Sequence, residues 1–154
     1  MTLNAGMGAF SRLVTRGGWQ DETVWRGSGT WSDGQPFAGE LRYCWDGEVL
    51  ESRALSQRGG EKFLWSGRYD ETPDKVESRS SSETGAQAEG WAPAKDPDRF
   101  VFELRTWKDD PEKYCRYRET AARRSDDSFS LTIEKDVEGG WTTVLETVFH
   151  RKTD

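Results

Sequence analysis

The chain has 154 residues, a formal net charge of −6, 33% hydrophobic residues and 32% charged residues, which describes one small acidic domain over 1–154. Charges of both signs are interspersed, which argues against general nucleic-acid binding, since that needs clustered positive charge to displace counterions. No apolar run is long enough for a membrane-crossing helix or a signal-peptide core, so the expected location is the cytoplasm, with no membrane partner.

Ala5 to Thr15 read as a short helix, with Met7, Phe10, Leu13 and Val14 near one side and Arg16-Gly17-Gly18 ending it. In a barrel such a helix would plug one mouth; without packing it would be a loosely ordered terminus. The first strand region runs from Thr23 to Ser32, where Trp25 and Trp31 flank Gly27-Ser28-Gly29, and glycines inside a strand mark a bend or a close backbone approach. After the Asp33-Gly34-Gln35-Pro36 turn, strands are expected at about 38–45, 48–57 and 61–71, separated by Asp46-Gly47 and Arg58-Gly59-Gly60. Residues 75–83 are polar apart from Val76 and read as an exposed or flexible strand, followed by Thr84-Gly85 and a strand over 86–92. Pro93 to Asp98 is too rich in Pro and Asp for a ladder and reads as a loop.

Beyond that loop the alternation sharpens. Phe100, Phe102 and Leu104 alternate with Val101, Glu103 and Arg105. A strand from Tyr114 to Arg123 follows, then the alternating Phe129, Leu131 and Ile133. Gly139-Gly140 introduces the last strand, from Trp141 to about Arg151. The spacing of turns predicts an all-β fold, an antiparallel up-and-down barrel of about ten strands with a short N-terminal helix (helix about 5–15, strands about 23–151). Eight Trp, seven Phe and four Tyr carry much of the apolar volume. They suit either a filled sandwich core or a few rings around a partly hollow interior. Cys44 and Cys115 lie far apart and outside any metal spacing; they read as reduced thiols, able to pair only if their strands become neighbours.

Short local motifs give this layout a family likeness. Gly29-Thr30-Trp31 matches the Gly-x-Trp signature of lipocalin first strands, as Gly18-Trp19 would with its spacer missing. Trp25-Arg26-Gly27-Ser28-Gly29 looks like the Trp-x-Gly-x-Gly stretch of nitrobindins, and Tyr69-Asp70 looks like a turn found halfway along bacterial lipocalin-like domains of unknown function. The chain therefore resembles the calycin superfamily, which includes lipocalins, fatty-acid-binding proteins and nitrobindins. The resemblance implies a cup-shaped barrel with an internal site for a small apolar or amphipathic molecule. The nitrobindin likeness implies haem held through a histidine near the C-terminus, for which His150 is the one candidate; no other cofactor and no metal are expected.

The expected cavity wall comprises Tyr43, Trp45, Phe63, Trp65, Phe102, Leu104, Phe129, Leu131 and Ile133. On the strand Tyr114-Cys115-Arg116-Tyr117-Arg118-Glu119, alternate residues share a face. If Arg116 and Arg118 look inward, their guanidinium groups can grip a ligand carboxylate bidentately, as in fatty-acid-binding barrels. If they face water, Cys115 and Tyr117 face in. Glu51 and Arg53 pose the same question. His150 has the opposite parity to Trp141, Thr143, Leu145, Thr147 and Phe149, although Val144 and Val148 share its side. No Gly-x-Ser-x-Gly elbow, phosphate loop or zinc spacing occurs.

The function expected from these features is intracellular binding of a small hydrophobic or amphipathic ligand by a monomer or homodimer. The alternatives are a barrel enzyme that cyclises or isomerises a hydrophobic substrate through inward Tyr, Glu or Arg, and an interaction protein with aromatic residues at a dimer face.

Overall fold

Alternation of apolar and polar residues between tight turns produces a meander, and closing it leaves no open edge. The computed structural model describes residues 8–15 and 22–152. One helix, α1 (Ala9–Thr15), precedes ten strands: β1 (Thr23–Thr30), β2 (Pro36–Asp46), β3 (Val49–Arg58), β4 (Glu61–Glu71), β5 (Lys75–Ser82), β6 (Gln87–Pro93), β7 (Arg99–Trp107), β8 (Cys115–Ser125), β9 (Ser128–Val137) and β10 (Gly140–Arg151). Every strand pairs antiparallel with its chain neighbours, and β1 pairs with β10 to close the barrel. The expected class is therefore found, and each expected strand has its counterpart. Pro93 ends a strand instead of opening the loop, and β9 continues to Val137.

Tight turns set the register. Gly47, at φ 62°, takes the left-handed conformation that the β2–β3 hairpin needs and that side chains with a Cβ resist. Two irregularities, between Arg123 and Ser125 against β9 and between Thr143 and Leu145 against β9, bend strands β8 and β10. Gly90 serves a different purpose. It faces Leu104 across the β6–β7 ladder, and a Cβ built there would lie 1.9 Å from the Glu103 carbonyl oxygen. Gly90→Ala should therefore force β6 and β7 apart and lower stability by about 2 kcal/mol or more. Chemical denaturation checks this, and a change below about 0.5 kcal/mol would contradict the close approach.

Helix α1 closes one end. Phe10, Leu13 and Val14 are buried, as their spacing predicts. The Phe10 ring lies 4.8 Å from Tyr69 and 5.3 Å from both Phe100 and Phe102. Two polar anchors tie the helix down: the Trp25 indole N–H donates to the Val14 carbonyl at 2.9 Å, and the Ser11 amide donates to Glu71 at 3.1 Å. The Ser11 hydroxyl also donates to Glu71. The other expected helix residues, 5–7, and the Gly17-Gly18-Trp19 motif lie outside the described residues. Trp25, Phe129 and Phe149 form a fully buried aromatic layer, with Phe129 edge-on to Trp25 at 4.8 Å and stacked on Phe149 at 5.6 Å. Cys44 and Cys115 are both free thiols, on strands that are not neighbours in the sheet order. No helix among the described residues is long and apolar enough to cross a membrane.

Candidate functional site

Between the helix plug and the far turns lies a cavity of about 380 Å³. Its walls come from the inward parity of nearly every strand. On β3, Ser52, Ala54, Ser56 and Arg58 step from the depth toward the mouth; on β4, Tyr69, Gly67, Trp65 and Phe63 run alongside them. Leu41 and Tyr43 of β2, Phe102 and Leu104 of β7, and Leu131 and Ile133 of β9 complete the apolar wall. Trp31 and Arg58 stand together at the mouth, the guanidinium 5.3 Å from the indole centre and paired with Asp33.

The depth of the cavity is polar. Ser52 pairs with Tyr43 on one side and Gly67 on the other, while Tyr69 pairs with Ser78. Glu119 of β8 sits between Phe102 of β7 and Ile133 of β9 and lines the same space. Among the described residues, no hydrogen bond or ion pair holds its carboxyl. Burial away from water pushes the Glu119 carboxyl up to about 7. The phenols beside it stay protonated. Burial pushes Tyr69 up to about 12, with the Glu119 charge adding to it and hydrogen bonding toward Ser52, Tyr43 and Ser78 opposing it. Tyr43 is raised well above the usual phenol range by burial, then by Tyr69 and Glu119. The site thus holds one carboxyl able to change charge near neutrality, two neutral phenols and several hydroxyls, all beneath an apolar wall.

Of the residues expected from sequence, Tyr43, Phe63, Trp65, Phe102, Leu104, Phe129, Leu131 and Ile133 line the cavity. Trp45 does not. It has inward parity but packs against the buried core at the plugged end, beyond Tyr43. Arg116 and Arg118 require a larger correction, because both project outward. Arg118 grips Glu134 bidentately at 2.9 and 3.0 Å and lies 4.6 Å from the Trp141 ring centre. Arg116 donates to Asp136 at 3.0 Å and also stands over Trp141. The partners explain the choice: β9 offers Glu134 and Asp136 on its outer face, so the guanidinium groups are satisfied without desolvation. Glu51 and Arg53 alternate with the cavity-lining Ser52 and Ala54 and so also face outward. His150 is exposed and follows the buried Phe149, so it points away from the cavity and cannot ligate a haem inside it.

Sequence reasoning missed the polar floor. Glu119 shares parity with Tyr117 and Ala121, and the small Ala121 was the available signal that this face is inward. Ser78 and Ser80 line the cavity from β5, whose polar composition read as exposure. A second hollow of about 560 Å³ lies outside the barrel beside α1, lined by Arg12, Asp98, Arg123, Asp126 and Arg151 among others. In it Arg123 already pairs with Asp126 and Asp98, and Arg151 with Asp127, so the ring-lined barrel interior is the better ligand site. No cluster of three or more His, Cys, Asp or Glu side chains suited to a metal occurs among the described residues.

No family model matches the chain, and no curated protein sequence matches it. Among solved structures it is similar to a redesigned β-barrel at 19% identity and a TM-score of 0.47, over 66% of this chain and 90% of that one. It is similar to EF1p2_mFAP2b bound to DFHBI at 15% identity and a TM-score of 0.43, over 84% and 91%. A de novo designed fluorescence-activating β-barrel matches at 16% identity and a TM-score of 0.47, over 95% of this chain and all of that one (100%).

Proposed function

We propose that this protein is a lipocalin-like binder that takes a small, largely apolar molecule with a polar end into the barrel interior. One observation carries the reading: a cavity of about 380 Å³ has rings and aliphatic side chains along its walls and a carboxyl, phenols and hydroxyls at its floor. A wall of this kind left empty forgoes dispersion contacts, and a carboxyl at the floor opposes folding, so neither feature is explained by stability. The volume falls at the small end of ligand sites, which span about 300–1,000 Å³. The proposed setting is intracellular, with no nucleic acid or membrane involved.

Trp31 and Trp65 line the cavity and provide the probe. Titrating fatty acids, aromatic acids, aromatic alcohols and amines, and haem against tryptophan emission should give a saturable change for at least one class. Ala54→Trp, which fills the wall, should weaken that binding by about tenfold or more. If no compound gives a saturable change, the binder reading fails.

The Glu119 carboxyl favours a second reading, an isomerase. As a carboxylate it would take a proton from an acidic carbon of a bound substrate and return it to a different carbon, while Tyr43 and Tyr69 donate to the developing oxyanion. Conversion of a bound compound into an isomer, lost in Glu119→Gln with binding retained, would establish it; a ligand recovered unchanged in every case would reject it.

A further inference from the structure

We infer that the interior site selects ligands whose buried end is a protonated basic nitrogen, held by Glu119. The inference rests on the binder reading and names the chemistry of its ligand. It also reverses the expectation drawn from Arg116 and Arg118, that the barrel would grip a carboxylate.

The charges that face the cavity decide the matter. At its depth, Glu119 is the one group able to carry charge near neutrality, since Tyr43 and Tyr69 are held in their neutral forms. The elements packed around Glu119 present Phe102 from β7, Ile133 from β9 and Phe10 from α1, none of them titratable. Arg58 also lines the cavity, but it stands at the mouth, six residues along β3 from Ser52, and its charge is offset by Asp33. Arg116 and Arg118 are outside and paired. No cation from the described chain therefore answers the Glu119 carboxyl.

A ligand ammonium supplies that cation. Folding has already taken the half-buried carboxyl partly out of water, so less of the desolvation cost of pairing remains to be met on binding. The ammonium has three N–H donors, and Glu119 with the Ser52 and Ser78 hydroxyls offers acceptors around the same floor. A carboxylate ligand meets the opposite situation, a like charge in a poorly screened space. Because the free protein holds Glu119 protonated below about pH 7, pairing with an ammonium must expel that proton to solvent.

Calorimetric titration of 1-naphthylmethylamine, 1-naphthalenemethanol and 1-naphthoic acid, three probes of one shape, tests this. At about pH 8 the amine should bind about tenfold or more tighter than the alcohol, with the acid weakest. At about pH 6, titrations in buffers of different ionisation enthalpy should show release of close to one proton on amine binding. In Glu119→Gln the alcohol should still bind, the amine's advantage should shrink to about twofold or less, and proton release should vanish. Equal affinity of amine and alcohol for the unaltered protein, or proton release that persists in the variant, would overturn the inference and leave the binder reading intact. Failure of all three probes alongside a saturable emission change from a non-basic compound would overturn it too. Failure of every compound in both experiments would sink both readings.

Discussion

Trp25→Ala is expected to lower the stability of the barrel by about 4–5 kcal/mol, enough to unfold a marginal domain of this size. Trp25 is fully buried at 0% exposure, packs edge-on to Phe129 and reaches across to α1 through its indole N–H. Truncation leaves a hole among rings that cannot collapse onto it and orphans the Val14 carbonyl. The first effect carries most of the loss and the second adds about 1 kcal/mol. Trp25→Phe separates them, keeping much of the packing while losing the hydrogen bond, and should sit between the two. Urea denaturation followed by circular dichroism measures both. A loss below about 1 kcal/mol for Trp25→Ala would show that neither the plug nor the layer beneath it depends on this side chain.

Glu119→Gln is expected to have the opposite sign. A carboxyl raised from an ordinary 4.5 to about 7 is less ready to ionise in the folded chain than in the unfolded one. Below the unfolded value both states hold the proton and no penalty arises. As pH rises from about 4.5 through about 7 the unfolded state gains charge first and stability falls, reaching a plateau above. The size of the shift makes this about 3 kcal/mol at the plateau, as an order of magnitude. The glutamine variant should therefore be more stable than the unaltered protein at about pH 8 and similar to it at about pH 4. Asp33, Glu40 and Glu134 act oppositely: hydrogen bonds from Arg58, Arg42 and Arg118 respectively hold them below the usual carboxylate range. Their contribution is present above the unfolded value and fades as pH falls, and solvent screening keeps it small. Stability should thus peak on the mildly acidic side. Denaturation midpoints across pH give the test, and parallel curves for the two proteins would show that Glu119 ionises as freely as a surface carboxylate.

The architecture was legible because turns and alternation are local. Asp46-Gly47 and Gly59-Gly60 announce hairpins wherever they occur, and the Phe129-Leu131-Ile133 alternation assigns an inner face without help from the rest of the chain. The site was harder to read because which face of a polar strand is inner depends on partners elsewhere. Arg116 and Arg118 face out because Glu134, Asp136 and Trp141 await them there, and those residues come later in the chain. On β10, an uninterrupted period of two would place Trp141 and Phe149 on one face. The irregularity between Thr143 and Leu145 breaks the parity, so that Val144 and Leu145 both line the cavity while Trp141 lies outside beneath arginines. β5 shows the complementary case: Ser78 and Ser80 are inside because the interior is partly polar, and composition alone cannot distinguish a wet exterior from a polar floor.

Nine of the ten ladders join strands adjacent in the chain, while the tenth, β1 to β10, unites segments so remote that Thr147 donates to the carbonyl of a residue 119 positions away. Loop closure over such a span becomes favourable only once the intervening hairpins have shortened it, so that ladder should zip last during refolding and part first during unfolding. Side chains along this junction, Phe149 and Thr147 among them, would then govern how long the folded state lasts, with little influence on how quickly it is reached.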